Sequence, residues 1–563
     1  MSRIILFYIA LSFINNSLIG QTFEWAKSFG GDFRNIGYSI DTDNKGNVYT
    51  TGFFEGTADF DPGPGVYNLS SNGNNDIFIL KLDKGGNFVW AKSFGGLSSN
   101  VPNPIADTGY GIVTDKDGNV YVCGAFEKTV DFNPGLGIYN ISSSGAEDIF
   151  ILKLDTDGNF IWVKNIGGNW QDVARSIAIK NGNLYITGDF SGTVDFDPGP
   201  GVYNLGAAIG GTFILKLDID GNFIWAKSLE GRIDGKSIAI DNNGNVLTTG
   251  NFSRTIDFDP GSGIYNLSSV INGGFSTWDI FISKLDSNGN FIWAKSFEGT
   301  GFSDEGASIT TDKSGNIYTT GSFGGLNDFN PGSGVYNLSS TGYKDIFISK
   351  LDKDGNFVWA RKMGGQNADL GFSIGVDKYE NVYSTGHFSN DADFDPGPGI
   401  YNMSGPLWSS GSALFISKLN ANGNFMWAHS IGDQLGSSTQ GFSIYIDLYQ
   451  NIYLTGYFSD IADFDIGPDT FELIVHDDGP GYDAFILKLS QCPTTIDTIH
   501  INTCDSYTWI DGNTYTLSTD TAQYILPNAE GCDSIVSLEL TINHSDSTLY
   551  QYTECNSLIW KGD

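Results

Sequence analysis

Short apolar segments separated by polar turns recur along most of this chain, and their pattern predicts β-strands. The first four of these segments cover residues 37–43, 47–53, 76–83 and 87–93, and we call them strands A, B, C and D. The A–B and C–D connections are short and rich in Asp, Gly and Asn, which tolerate the positive φ angles of hairpin turns. The pattern therefore predicts an antiparallel meander of four strands.

The four-strand pattern occurs seven times. Its clearest marker is the motif Trp-Ala-Lys-Ser-Phe-Gly-Gly in strand D, whose tryptophan returns at intervals of 65, 72, 63, 68, 66 and 68 residues. The seven tryptophans are Trp25, Trp90, Trp162, Trp225, Trp293, Trp359 and Trp427. Four-stranded units repeated around an axis form a β-propeller, usually with a period of about 40–50 residues. The period is longer here because each repeat carries an insert between strands B and C.

The two ends of the repeat array complement each other. The last repeat has strands A, B and C (441–447, 451–457 and 484–489) but no strand D, whereas residues 22–29 form a strand D with no A, B or C before it. An N-terminal strand that completes the last blade would cover the sheet edges that an open array exposes. We therefore predict an all-β fold with a seven-bladed β-propeller over residues 21–490, closed by its N-terminal strand.

The repeats resemble the secreted bacterial β-propeller repeat family that is often described as seven-bladed. The resemblance covers roughly residues 22–490. It implies a fold rather than an activity, because propellers carry enzymes, lectins and scaffolds on one architecture.

A different pattern begins after the repeats. Cys504 and Cys555 start two similar segments 51 residues apart, which predicts a small β-rich module over residues 491–543 and a truncated second copy over 544–563. Cys504 and Cys532 could form a disulfide within the complete module, worth about 3–4 kcal/mol for a loop of that size. The module is similar to small repeats near the C-termini of bacterial proteins exported by type IX secretion, which implies the same route here.

The N-terminus and the charge of the chain indicate an extracellular location. Residues 1–20 have the basic start, short apolar run and polar end of a signal peptide, and the run is too short for a permanent membrane anchor. The formal net charge of -35 disfavours binding to nucleic acid or to an anionic membrane surface. We expect a secreted or outer-cell-surface monomer without membrane insertion, whose partner is an extracellular protein or a glycan.

Each insert carries an acidic motif, which is Asp59-Phe60-Asp61-Pro62-Gly63 in the first repeat. An Asp or Asn before Pro-Gly can accept a backbone N–H and fix the turn. The alternative is calcium binding, which typically needs about six to eight oxygen ligands. We expect turn formation, no other cofactor, and as calcium candidates Asp59, Asp61, Asp195, Asp197, Asp257, Asp259, Asp393, Asp395, Asp463 and Asp465.

Other repeated or reactive residues point to packing rather than chemistry. The lysine of strand C, such as Lys81, and the tryptophan of strand D recur in every repeat, which blade packing explains. His387 and His429 occupy positions that vary between repeats, so we do not expect catalysis there. The B–C and D–A connections should lie on one side of the propeller and form the ligand face, with Tyr67 and Tyr203 as exposed aromatic residues.

Three functions are compatible with the sequence. The first is a non-enzymatic interaction or adhesion scaffold, because the repeats show little of the asymmetry that a catalytic site needs. The second is a multivalent carbohydrate-binding propeller with one weak site per blade. The third, less supported function is a polysaccharide hydrolase or lyase.

Overall fold

A computed structural model describes residues 21–97, 107–406, 411–432, 437–476, 481–491, 495–527 and 533–543. These residues form strands and turns, so the prediction of an all-β fold is confirmed. No helix in this described part is long and apolar enough to cross a membrane. The predicted signal peptide (1–20), the truncated copy (544–563) and Cys532 lie outside the described residues.

The chain separates into two compact units, and one of them covers Thr22–Gln491. We call this unit the repeat body, number its repeats I to VII, and number all strands in chain order. The N-terminal strand is β1 (Gln21–Gly31). The strands of repeats I to III are β2 (Asn35–Thr42), β3 (Val48–Asp59), β4 (Asn68–Leu82), β5 (Phe88–Phe94), β6 (Thr108–Thr114), β7 (Val120–Asp131), β8 (Asn140–Leu154), β9 (Phe160–Ile166), β10 (Val173–Lys180), β11 (Asn183–Asp195), β12 (Asn204–Asp218) and β13 (Phe223–Glu230).

In repeats IV to VII the inserts form separate short strands. Repeats IV and V contain β14 (Ile233–Ile240), β15 (Val246–Phe252), β16 (Thr255–Asp257), β17 (Asn266–Ser268), β18 (Ile271–Asn272), β19 (Phe275–Ser276), β20 (Asp279–Leu285), β21 (Phe291–Gly299), β22 (Glu305–Thr311), β23 (Ile317–Phe323), β24 (Leu326–Asp328), β25 (Asn337–Ser339), β26 (Asp345–Leu351) and β27 (Phe357–Gly365). Repeats VI and VII contain β28 (Leu370–Val376), β29 (Val382–Phe388), β30 (Asp391–Asp393), β31 (Asn402–Ser404), β32 (Ala413–Leu419), β33 (Phe425–Ile431), β34 (Thr439–Ile446), β35 (Ile452–Phe458), β36 (Ile461–Asp463), β37 (Glu472–Ile474) and β38 (Asp483–Gln491).

Each of repeats I to VI is an antiparallel A–B–C–D meander, as the turn pattern predicts. In repeat III, for example, Thr187 of strand B pairs with Ile214 of strand C, and Phe213 of strand C pairs with Ser228 of strand D. Repeat VII supplies strands A, B and C as β34, β35 and β38, and β1 lies beside β38 in the same sheet. The N-terminal strand therefore occupies the position of strand D in repeat VII.

Neighbouring repeats are joined by a lysine of strand C and a tryptophan of strand D, which reach one backbone carbonyl in the next repeat. Lys81 Nζ and Trp90 Nε1 donate to the carbonyl oxygen of Thr156, in the C–D turn of repeat II, at 2.6 and 3.2 Å. Burial of Lys81 lowers the pKa of its ammonium group, while the Tyr49 ring lies 5.1 Å from that group. We call this arrangement the lysine–tryptophan clamp.

The clamp recurs between other repeats, including the first and the last. Both donors reach one carbonyl again at Ser287 (Lys216 and Trp225) and at Ala421 (Lys350 and Trp359). Lys488 of repeat VII and Trp25 of β1 donate to the carbonyl oxygen of Lys84 in repeat I at 3.3 and 3.4 Å. The repeated lysine and tryptophan therefore serve contacts between repeats.

The insert between strands B and C is a second connection between repeats. Its phenylalanine is fully buried in every repeat: Phe60, Phe132, Phe196, Phe258, Phe329, Phe394 and Phe464. The Phe60 ring lies 5.5 Å from Phe29 of β1 and 5.3 Å from Phe78 of its own repeat. Gly30 of β1 pairs with Asp59 of the insert. Each insert therefore packs its phenylalanine beside the preceding strand D. The acidic residues of the motif gave no sign of this apolar contact.

The C-terminal module has its own small core. Its strands are β39 (Thr495–Cys504), β40 (Tyr507–Thr508), β41 (Thr514–Tyr515), β42 (Thr519–Pro527) and β43 (Asp533–Asn543). β43 lies between β39, which is parallel to it, and β42, which is antiparallel. Trp509 packs on Leu538 and Leu540. Cys504 is exposed, and its pairing with Cys532 stays a prediction.

Trp25→Ala tests the place of the N-terminal strand. Trp25 and Trp225 are equally buried, at 8% and 9% exposed, and both donate to a carbonyl of the next repeat. We expect Trp25→Ala to lower the free energy of unfolding by about 3–5 kcal/mol, as much as Trp225→Ala. The measurement is urea unfolding of both variants. A nearly neutral Trp25→Ala beside a costly Trp225→Ala would place β1 outside the fold.

Candidate functional site

The acidic motif of the insert is a turn held by its own carboxylates. Asp59 Oδ1 accepts the backbone N–H groups of Asp61 and Tyr67 at 3.0 and 2.8 Å, and Asp61 Oδ1 accepts that of Gly63 at 2.9 Å. The same bonds recur at Asp195, Asp197, Asp257, Asp259, Asp393, Asp395, Asp463 and Asp465. This geometry agrees with turn formation, while calcium binding stays a prediction.

The described residues offer little support for a metal centre of protein ligands. Among them, no three or more His, Cys, Asp and Glu side chains are grouped so that they could hold a metal ion. The ten candidate aspartates are spread over separate inserts, with two carboxylates in each. A calcium ion at an insert would therefore take most of its oxygen ligands from backbone and water.

The expected exposure of Tyr67 and Tyr203 is confirmed, since each is 38% exposed, but these tyrosines do not lie on the ligand face. Their rings pack on Phe88 and Phe223 at 4.8 and 5.0 Å. These phenylalanines begin strand D, at the end of the sheet opposite the B–C and D–A connections. The insert bends back because its buried phenylalanine fills the gap between repeats, which the repeat pattern could not reveal.

One position of strand A differs strongly between repeats. Each strand A has a β-bulge there, after the second or third residue of the strand, as between Gly37 and Ser39. The bulged residues are Tyr38, Tyr110, Arg175, Lys236, Ala307, Phe372 and Phe442. We call them the bulge ring. It lies near the D–A connections, on the side where ligands are expected.

One side of the bulge ring is aromatic. The Phe442 ring lies 5.1 Å from both Phe372 and Tyr38, and Tyr38 lies 5.4 Å from Tyr110. The guanidinium group of Arg175 then lies 5.5 Å from the Tyr110 ring centre, within cation–π range. The bulged residues of repeats VI, VII, I, II and III therefore form a continuous row, in which each contacts the next.

The other side of the ring is charged. Arg175 Nε donates to Asp189 Oδ2 at 2.7 Å, and the backbone N–H of Gly235 donates to Asp189 Oδ1 at 3.1 Å. Lys236 forms an ion pair with Glu305 at 3.5 Å. Burial raises the pKa of the Asp234 carboxyl, and the nearby charge of Asp189 raises it further. The bulged residues of repeats III and IV are thus charged, whereas those of the other repeats are aromatic or alanine.

A cavity of about 310 Å³ lies beside this charged side, between repeats III and IV. Its polar lining includes Gln171, Arg175, Asp189, Arg232 and Asp234, and Trp278 forms one wall. We call it the III–IV cavity. Sequence reasoning missed it, although comparing the seven copies of strand A column by column would have revealed the unusual charges.

A larger cavity, of about 810 Å³, opens on the opposite side at the A–B turns. Its lining mixes polar residues with aliphatic ones, among them Ile40, Ile112, Ile177, Ile238, Ile309 and Ile444, one from each of six A strands. Because these isoleucines occupy the same position of strand A in six repeats, packing between adjacent A strands accounts for them.

The two histidines of the repeat body that the sequence analysis named are half-buried and uncharged near neutral pH. Burial lowers the pKa of His387 and of His429 to about 4. His387 lies 5.2 Å from Phe372 of the bulge ring, and His429 lies 5.1 Å from Trp427. Both rings therefore act as packing groups at positions that vary between repeats.

Pairs of buried carboxyl groups lie at several boundaries between repeats. Asp76 lies at the start of the predicted strand C of repeat I, and Asp107 directly precedes strand A of repeat II. Both side chains are at most 3% exposed. Burial raises the pKa of Asp76 to about 6 and that of Asp107 to about 7, and for Asp107 the charge of Asp76 adds to the effect. Burial, with a smaller effect from a nearby carboxyl, also raises the pKa of Asp172 beside Asp148, of Asp279 beside Asp304, and of Asp369 beside Asp345.

Comparison with known proteins supports the repeat type. Residues 90–124 and 292–330 match the family of the beta-propeller repeat. An uncharacterized WD repeat-containing protein of Acanthamoeba polyphaga mimivirus is 25% identical over 83% of this chain and 38% of its own length. The regulatory protein FlaEY of Caulobacter vibrioides is 30% identical over 23% of this chain and 13% of its own length. The chain thus spans 38% and 13% of these relatives.

Several solved structures align with the chain at low similarity. A putative 6-phosphogluconolactonase from Bacteroides fragilis has a TM-score of 0.34 at 11% identity, over 77% of this chain and 97% of its own. Sqt1 from Chaetomium thermophilum has a TM-score of 0.34 at 8% identity, over 84% and 100%. At these scores neither protein informs the function of this chain.

The buried carboxyl pairs predict an unusual dependence of stability on pH. The pKa values of Asp76 and Asp107 in the folded protein, about 6 and 7, lie above the ordinary value of 3.8. The contribution of these two groups to the free energy of unfolding is therefore fully present below about pH 4 and is lost as the pH rises through 6 and 7. We expect the thermal midpoint to be higher at pH 5 than at pH 8. Asp76→Asn should reduce this difference, whereas the exposed Asp220→Asn should not. An unchanged difference in Asp76→Asn would contradict the assignment.

Calorimetric unfolding of the full chain with calcium and with a chelator tests the insert aspartates. We expect the same midpoint in both conditions, because Asp59 Oδ1 and Asp61 Oδ1 are already occupied by backbone N–H groups. A ligand that binds only the folded state raises its stability. A midpoint that rises with calcium and returns to its starting value in an Asp61→Asn variant would establish the calcium site instead.

Proposed function

We propose that this chain, which carries β-propeller repeats, is a secreted or cell-surface seven-bladed β-propeller that acts as a non-enzymatic interaction or adhesion scaffold. Its N-terminal strand closes the ring, and its ligand face is the side that carries the B–C and D–A connections and the bulge ring. The partner is an extracellular protein or a glycan, and the propeller is a monomer.

Two observations support a closed ring of seven blades. Successive A strands contact one another in chain order, and β34 of repeat VII also contacts β2 of repeat I. The clamp spans the same boundary, from Lys488 and Trp25 to Lys84. In the sheet of repeat VII, β1 lies beside β38 and takes the place of the missing strand D.

A scaffold function rests on how the repeated and the variable residues are distributed. Most polar groups that recur in every repeat are engaged inside the fold, as in the lysine–tryptophan clamp and the insert turns. The groups that vary lie at the bulge ring and the III–IV cavity, on one side of the repeat body. A binding face on an otherwise repetitive support is the arrangement expected of an interaction module.

The extracellular location is supported by the sequence. Residues 1–20 have the pattern of a signal peptide, and the C-terminal module is similar to repeats of exported bacterial proteins. The excess of 65 acidic over 30 basic residues suits a soluble protein that binds neither nucleic acid nor an anionic membrane. Type IX secretion is the export route that this similarity favours.

A binding screen of the full chain tests the proposed face. The protein is purified from culture medium, where its first residue should lie near Gln21, and is screened against glycans and extracellular matrix proteins. On the ligand face Phe33, Trp170, Phe302 and Tyr343 are exposed, and on the opposite side Tyr379, Leu448 and Tyr449 are exposed. We expect serine substitutions of the first set to abolish binding, because exposed aromatic residues dominate binding energy.

Serine substitutions of the opposite set are the control and should leave binding unchanged. Loss of binding in that set alone would assign the ligand to the other side of the propeller. Retention of the protein inside the cell would contradict the secreted location. Cleavage of a bound polysaccharide by the wild-type chain would replace the scaffold proposal with the hydrolase or lyase.

A further inference from the structure

The III–IV cavity differs from its counterparts in one respect that points to a ligand. Arg232 occupies the same position in repeat IV as Arg34 in repeat I, directly before the start of strand A. In repeat I this arginine has a partner: Arg34 Nε and Nη2 donate to the two carboxylate oxygens of Glu55 at 3.3 and 2.5 Å. In repeat IV the position of Glu55 is taken by Ser253.

Arg232 therefore occupies the position of an arginine that binds a carboxylate in repeat I, but the corresponding glutamate is absent from repeat IV. Among the described residues it takes part in no ion pair, although the chain has more than twice as many acidic as basic residues. Its guanidinium group lies 5.3 Å from the ring centre of Trp278, which stands where repeat I has Asn75. The arginine is exposed, so its N–H groups can reach a molecule in the cavity.

We propose that the III–IV cavity binds an acidic saccharide, whose carboxylate or sulfate group takes the place beside Arg232 that Glu55 has beside Arg34. A guanidinium group can bind two oxygens of either anion through two parallel hydrogen bonds. A neighbouring cavity of about 280 Å³ shares Arg232 and adds Arg254, so a second acidic group along a chain can find a second cation. This inference rests on the proposed function and names the ligand of that face.

The rest of the lining favours a saccharide over an acidic peptide. Asp189 and Asp234 are hydrogen-bond acceptors that line the same cavity, and they can accept the hydroxyl groups of a sugar ring. An acidic peptide would bring further carboxylates against these two groups without hydroxyl donors to pair with them. The Trp278 wall offers an apolar face for a sugar ring, and a volume of about 310 Å³ is at the lower end for small-ligand sites.

Calorimetric titration of the full chain with defined probes tests the proposal. The probes are oligogalacturonate for carboxylate, chondroitin sulfate for sulfate, dextran as the neutral saccharide and polyglutamate as the acidic peptide. We expect one or both acidic saccharides to bind and dextran and polyglutamate not to bind. Arg232→Ala should weaken saccharide binding by at least about ten-fold, because it removes a charge-assisted hydrogen bond.

Two further variants make the test specific to this arginine. Ser253→Glu restores the carboxylate of repeat I, so an internal ion pair should compete with the saccharide and weaken binding as Arg232→Ala does. Arg34→Ala is the matched control, because that arginine is already paired, and it should leave affinity unchanged. The thermal midpoint of each variant shows that the fold is retained.

Several results would overturn the proposal. Binding that is equally strong in Arg232→Ala, or equally weakened by Arg34→Ala, would exclude this cavity, and polyglutamate that binds in an Arg232-dependent way would exclude a saccharide. If neither acidic saccharide binds while another ligand is lost on substitution of the exposed aromatic set, the inference fails and the proposed function stands. If no ligand depends on that set, the proposed function fails as well.

Discussion

The structure of the repeat body depends on a shared acceptor at the boundary between repeats. A lysine ammonium group and an indole N–H from one repeat reach a single backbone carbonyl in the C–D turn of the next, as at Thr156. A buried ammonium group is unfavourable unless it is hydrogen-bonded. The lysine therefore requires a neighbouring repeat whose C–D turn places a carbonyl oxygen within hydrogen-bond distance. The same contact fixes the tryptophan, whose large apolar surface is covered only when two repeats are adjacent.

This requirement explains the ends of the chain. Repeat VII has no C–D turn of its own, because its strand D comes from the N-terminus, and in it Lys488 pairs with Glu24 of β1 at 2.8 Å. The Nε1 atoms of Trp427 in repeat VI and of Trp162 in repeat II are buried without a hydrogen-bond partner, so the indole bond of the clamp is not made at every boundary. The lysine of repeat VII thus contacts both the N-terminal strand and the C–D turn of repeat I.

Much of the fold follows from local sequence patterns, whereas the candidate site does not. The strands and tight turns are predicted because alternation and Asp-Gly-Asn turns act over a few residues, as in the Asp43 turn, where Asp43 Oδ1 accepts the N–H groups of Lys45 and Asn47. The burial of Phe60 was missed because it depends on a long-range contact with Phe29 of β1. The III–IV cavity was missed because it is made by departures from the repeat, such as Ser253, which count only when repeats are compared position by position.

The proposed ring closure is tested most directly by a disulfide between β38 and β1, the adjacent strands C and D of repeat VII. The hydroxyl oxygens of Thr22 and Ser490 lie 2.8 Å apart, so cysteines at these positions should be within bonding reach. Mass spectrometry of the oxidised Thr22→Cys/Ser490→Cys double variant of the full chain measures the cross-link. We expect an intramolecular disulfide between the two new cysteines and a raised thermal midpoint that falls on reduction. Two free thiols at residues 22 and 490 under oxidising conditions would contradict closure by the N-terminal strand.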